Sequence, residues 1–65
     1  MRIAICDDNE IQIDIFMHRI NNFLKRNGDI KALITTYDKG QPLIDDVADG
    51  EWYDIVVLDI ILREE

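Results

Sequence analysis

The chain has 65 residues, room for one small domain and too few for a two-domain enzyme. Apolar residues make up 48% of it and charged residues 32%, a balance that excludes a polar, disordered chain. Seven Lys and Arg against fourteen Asp and Glu give a net charge of -7, which argues against binding a nucleic-acid backbone. In chain order, residues 2–6 form a short, continuous apolar run that stops at Asp7-Asp8, the pattern of a strand covered on both faces in a parallel sheet. Asn9 follows as a helix N-cap, with Gln12 in capping-box spacing. Ile13, Phe16, Met17, Ile20, Phe23 and Leu24 recur at steps of three and four and predict one buried helical face. Lys25, Arg26, Asn27 and Gly28 close that helix, with cations over its carbonyl end and Gly28 free to take a left-handed cap.

Residues 32–37 are rich in strand formers and predict a second strand. Asp38-Lys39-Gly40-Gln41-Pro42 is punctuation, and Pro42 is tolerable in a first helical turn, where its missing N–H has no intrahelical acceptor. Leu43, Ile44, Val47 and Ala48 mark a short second helix ending near Gly50, and residues 54–58 form a third strand with Asp59 at its C-terminal end. The order β-α-β-α-β implies a parallel sheet with right-handed crossovers. Strand order 2-1-3 with a helix on each face is expected, because the first and third runs are the most uniformly apolar. A straight 1-2-3 order puts both helices on one face and leaves the other wet.

In that order the ligand crevice lies beyond the strand C-termini, between strands one and three, where the direction of winding reverses. Asp7-Asp8 and Asp59 both end there, although roughly fifty residues separate them in sequence. Neighbouring strands are about 4.8 Å apart, so the carboxylates can share one small site. Three such groups repel one another unless a cation joins them. Hard oxygen donors with room for water suit Mg²⁺ better than zinc. Asp7-Asp8 alone are equally well read as a helix cap and a strand end; the coincidence with Asp59 is what favours a site.

Ile3-Ala4-Ile5-Cys6-Asp7-Asp8-Asn9-Glu10 resembles the first strand and acidic pair of a response-regulator receiver domain. Asp54-Ile55-Val56-Val57-Leu58-Asp59-Ile60 resembles that family's third strand with its phosphoacceptor aspartate, and Tyr37-Asp38-Lys39-Gly40 its exit from the second strand. The first strand is most similar to regulators with a LytTR-type DNA-binding output domain. The resemblance covers the chain and implies a flavodoxin-like sheet, with residues 1–65 as the N-terminal part of a receiver and no second domain. It implies that Asp59 accepts a phosphoryl group from a sensor histidine kinase of a two-component system. Asp7, Asp8, Asp59 and the backbone carbonyl of Ile61 would hold Mg²⁺, Asp7 largely through water. The family often has a proline shortly after the acceptor, where this chain continues Leu62-Arg63. The Ser/Thr and Lys that end the family's fourth and fifth strands have no counterpart in these 65 residues. The chain is therefore expected to be a signalling piece with weak phosphoryl transfer, not an enzyme, with DNA binding left to an output domain of the parent regulator.

A haloacid-dehalogenase-like phosphatase also ends a strand in Asp, but it wants a second Asp two residues later, where this chain has Ile61. The remaining alternative is an inert or oligomerising piece that acts only as an interaction module. Self-association is expected in any case, because the third strand, with no neighbour beyond it, presents an apolar edge. Ile11 and Ile15 lie beside the main face of the first helix and add apolar surface. His18 reads as a solvated helix residue, Asp45, Asp46 and Asp49 as the wet face of helix two, and Trp52-Tyr53 as an anchor for the turn into strand three. Cys6 reads as a small core thiol; as the sole cysteine it excludes an intrachain disulfide and fits a reducing compartment. The N-terminal apolar run is too short for a secretion signal, and no run approaches the ~20 residues that cross a bilayer. No membrane partner and a cytoplasmic location are expected.

Overall fold

Alternation along one short strand organises the molecule. In the computed structural model, which describes residues 1–59 (Asp59 by its backbone alone), that strand is β1, Arg2–Asp7. It is followed by α1 (Glu10–Arg26), β2 (Leu33–Tyr37), α2 (Gly40–Ala48) and β3 (Ile55–Asp59). The three strands form one sheet in the order β2-β1-β3, with both pairings parallel. Register runs from Arg2 opposite Leu33 to Cys6 opposite Tyr37 on one side, and from Ile3 opposite Ile55 to Asp7 opposite Asp59 on the other. The α/β architecture and the 2-1-3 order expected from the sequence are both present.

Successive β1 side chains point to opposite faces. Ile3 and Ile5 pack with Ile13 of α1, joined by Phe16, Met17, Ile20 and Val57. Ala4 and Cys6 pack on the other face with Tyr37, Leu43 of α2 and Tyr53. The helices therefore cover opposite faces. Burial is less even than the periodicity predicts. Phe23 is 62% exposed, and of the apolar residues expected to face inward from α2 only Leu43 is buried. The three described strands do not cover the full apolar width of either helix.

The helix ends follow their local chemistry, with one correction. Asn9 caps α1 through its side-chain oxygen, which accepts from the Ile11 N–H at 2.9 Å. The expected return bond from Gln12 is not used; Asp7 Oδ1 accepts the Asn9 N–H instead, also at 2.9 Å. At the other end, the Asn27 N–H donates to the Phe23 carbonyl and the Ile30 N–H to the Leu24 carbonyl. That reversal needs Gly28 at φ 94°, where a Cβ would be strained.

Two polar clusters tie the loop before β3 to the rest. Arg2 and Asp54 exchange bonds: the Arg2 N–H donates to Asp54 Oδ2 at 2.7 Å, and the Asp54 N–H donates to the Arg2 carbonyl at 2.8 Å. The Arg2 guanidinium pairs with Glu51 and lies 4.9 Å from the Trp52 ring centre and 5.6 Å from that of Tyr53. These cation–π contacts give the Trp52-Tyr53 anchor its physical basis. On the α2 face, the Tyr37 hydroxyl donates to Asp46 Oδ2 at 2.6 Å and lies 2.5 Å from the Tyr53 hydroxyl. Asp46 is thus not merely part of a wet face, as its sequence position implied. No helix among the described residues is long and apolar enough to cross a membrane.

Ile5 has no exposed surface, and Ile5→Ala is expected to destabilise the fold by about 2–5 kcal/mol in denaturant titration. The Asp46 and Tyr53 hydrogen bonds, in that order, raise the Tyr37 pKa above its ordinary 10.0. Because the fold holds that proton more tightly than the unfolded chain does, the contribution is complete below pH 10 and is lost as pH rises beyond it. Absorbance titration should show Tyr37 ionising late, and Asp46→Ala should bring the ionisation back toward the ordinary range.

Candidate functional site

The carboxyl ends of the strands form one acidic pole. Asp7 closes β1 and stands in register with the Asp59 backbone at the end of β3. Cys6 is opposite Tyr37, so Asp38 leaves β2 at the same level. Glu10 and Asp14, from the first turns of α1, line a cleft of about 500 Å³ with Thr36 and Asp38. In the sequence Asp38 reads as punctuation after the second strand, although an acid at the end of a strand is the signal that also marks Asp7 and Asp59.

Asp7 is the unusual member. It is a charged residue only 2% exposed. Its Oδ1 is satisfied by the Asn9 N–H. Its Oδ2 is buried and has no hydrogen-bond partner among the described residues. A buried polar atom left in that condition costs about 1–3 kcal/mol, and more when it carries charge. A cation at Oδ2 would offset that cost. The next residue, Asp8, is exposed at the same pole.

These residues fit a hard divalent ion. Asp7 presents an oxygen with spare coordinating capacity, Asp8 is accessible, and both donors are carboxylates of the kind that Mg²⁺ prefers. The Asp59 side chain and Ile61 lie outside the described residues, and among the described residues no three His, Cys, Asp or Glu side chains form a ready-made metal cluster. Cys6 sits just below this pole, fully buried. Burial, followed by the charges of Asp38 and Asp7, raises its thiol pKa above the ordinary 9.0. Such a thiol stays protonated at neutral pH and is a poor nucleophile, as expected for a core residue. His18 is exposed on α1, beside Ile11, Ile15 and Arg19.

Comparison with family models, with curated proteins and with solved structures finds no match for this chain. The site must therefore be judged on its own chemistry. If the buried oxygen of Asp7 is under-satisfied, Asp7→Asn, which keeps the acceptor for Asn9, should stabilise the metal-free chain by about 1 kcal/mol. Millimolar Mg²⁺ should narrow that gap by stabilising only the parent chain, as read in paired thermal melts with chelator and with metal.

Proposed function

We propose that this chain is the phosphoacceptor part of a response-regulator receiver domain of flavodoxin-like fold, working in a two-component system. The observation that carries the reading is the register of Asp7 with Asp59 at the ends of adjacent parallel strands, next to a buried carboxylate oxygen without a partner among the described residues. The resemblance of these two strands to the receiver pattern supports the same assignment.

In this reading Asp59 is the nucleophile. Its carboxylate oxygen attacks the phosphorus of a phosphohistidine on a sensor kinase; the new O–P bond forms as the P–N bond breaks. The electron pair stays on the imidazole nitrogen, which takes up a proton. Asp7, Asp8, Asp59 and the Ile61 carbonyl would hold Mg²⁺, which would supply positive charge to offset the carboxylates and the phosphoryl group. Asp7 is fixed by its bond to the Asn9 N–H, so its orientation is set before any ligand arrives. The exposure of Asp8 leaves it free to reach the ion. The parent protein is a transcriptional regulator in which a separate output domain, of the LytTR type by resemblance, contacts DNA. A cytoplasmic location accords with that role.

Magnesium titration followed by amide NMR is the direct test. Shifts confined to Asp7, Asp8, Asp59 and Ile61 are expected, with saturation in the millimolar range. No response up to tens of millimolar would leave an interaction module without a metal site. Incubation with a small acyl phosphate should add one acid-stable, base-labile phosphoryl group by mass spectrometry, and Asp59→Asn should abolish it.

A further inference from the structure

We propose that Asn27 is a site of spontaneous modification: its side chain cyclises onto the Gly28 nitrogen and opens to an aspartyl or isoaspartyl residue, which loosens the end of α1. Asn27 is the C-cap of that helix, and glycine, the residue that follows it, has no side chain to shield its nitrogen. Asn27, Gly28 and Asp29 are all exposed. The Gly28 N–H donates to no backbone carbonyl among the described residues. Nothing lies within 4 Å of the place a Gly28 Cβ would take, so the approach is open. The chemistry needs only base and water. The deprotonated Gly28 nitrogen attacks Cγ of Asn27; the N–Cγ bond forms, the Cγ–Nδ2 bond breaks, and ammonia leaves with the proton that base had removed. Water then opens the five-membered imide. Attack at Cγ gives aspartate, and attack at the main-chain carbonyl gives isoaspartate, whose backbone runs through the former side chain.

The fold sets the rate. The Asn27 amide donates through Nδ2 to the Phe23 carbonyl at 2.8 Å, and the Asn27 N–H donates to the same oxygen. Ring closure needs that side chain released, so it waits on opening of the cap. A fraying helix end opens at close to no cost in free energy, far below that of global unfolding. The matching pair at the end of α2, Asp49-Gly50, is held more firmly. Gly50 is also left-handed, at φ 103°, but its N–H already donates to the Val47 carbonyl at 3.1 Å. Asn21 and Asn22 lie inside α1, followed by Asn22 and Phe23 rather than by glycine. Conversion at Asn27 reinforces itself. Either product loses the Nδ2 donor and sets a carboxylate beside the Phe23 carbonyl, at the negative end of the helix dipole. Isoaspartate also lengthens the backbone between α1 and Ile30, whose N–H bond to the Leu24 carbonyl leads the chain toward β2. The site lies at the far end of α1 from the acidic pole and uses no metal, so it stands or falls independently of the phosphoacceptor reading.

The test is to age the whole chain at mildly alkaline pH and digest it with trypsin. Cleavage after Arg26 and Lys31 releases residues 27–31, and cleavage after Arg19 and Lys25 releases residues 20–25 with Asn21 and Asn22 as an internal control. Mass spectrometry should show ammonia lost and water gained in the first peptide alone, and labelling with an isoaspartyl carboxyl methyltransferase should count the isoaspartyl share. The rate should rise with pH, as removal of the Gly28 amide proton requires. It should stay within about tenfold of that of a synthetic peptide spanning residues 24–31, because the helix end frays so readily. Asn27→Gln keeps an amide but needs a larger ring, and should stop the conversion. The aged chain should melt at a lower temperature than the fresh one, with the Ile30 and Leu33 amides shifted in NMR spectra. Asn27 left intact while the peptide converts, equal conversion at Asn21, Asn22 or Asp49, conversion that persists in Asn27→Gln, or an unchanged melt would each overturn the proposal.

Discussion

The pairing of β1 along both of its edges is the constraint on which the rest of the molecule depends. A central strand of six residues has its backbone groups taken up by β2 on one side and β3 on the other. Its side chains are then free to supply both cores, Ile3 and Ile5 to the α1 face, Ala4 and Cys6 to the α2 face. Those four residues are essentially without exposed surface. Among the described residues both cores are small, and both helices keep exposed apolar residues.

The same constraint generates the acidic pole. Asp7 continues the alternation that buries Ile3 and Ile5, so the strand carries a carboxylate into a position suited to an apolar side chain. One oxygen is absorbed by the helix cap at Asn9 and the other is left without a partner among the described residues. Because β1 is flanked on both sides, its last residue is delivered between the ends of β2 and β3, next to Asp38 and to the Asp59 backbone. Concentrating acids there costs stability unless positive charge is supplied from outside. Arg2 stands at the opposite end of the strands, engaged with Glu51 and the Trp52 and Tyr53 rings, and Lys25 and Arg26 lie in the last turn of α1, whereas Lys39, the N-cap of α2, follows Asp38 at the pole itself.

The loop before β3 shows how a marginal core is supplemented by polar chemistry. The reciprocal Arg2–Asp54 bonds fix where β3 begins, and the Tyr37–Asp46–Tyr53 cluster ties β2, α2 and that loop together. Both act at the N-terminal side of β3 or on the α2 face. The apolar run of β3 has the pattern of a covered strand, and among the described residues its one neighbour in the sheet is β1.

Much of this was legible in the amino-acid order. The three apolar runs, the 3.6-residue periodicity of α1, the Asn9 cap and the Gly28 reversal are local signals, set by backbone sterics and by hydrogen bonds between near neighbours. The 2-1-3 order followed from asking which runs could be covered on both faces. The placement of acids at strand ends followed from that order. What the sequence could not carry was anything that depends on how much sheet is available. Phe23, Ile44 and Val47 have the spacing of core residues yet remain exposed, because burial needs a facing surface and three strands do not extend that far. The diversion of the Asn9 N–H to Asp7, the partnership of Tyr37 with Asp46 and Tyr53, and the lone oxygen of Asp7 likewise required the folded chain. Periodicity states which side of an element is apolar; only the packed neighbours decide whether that side meets protein or water.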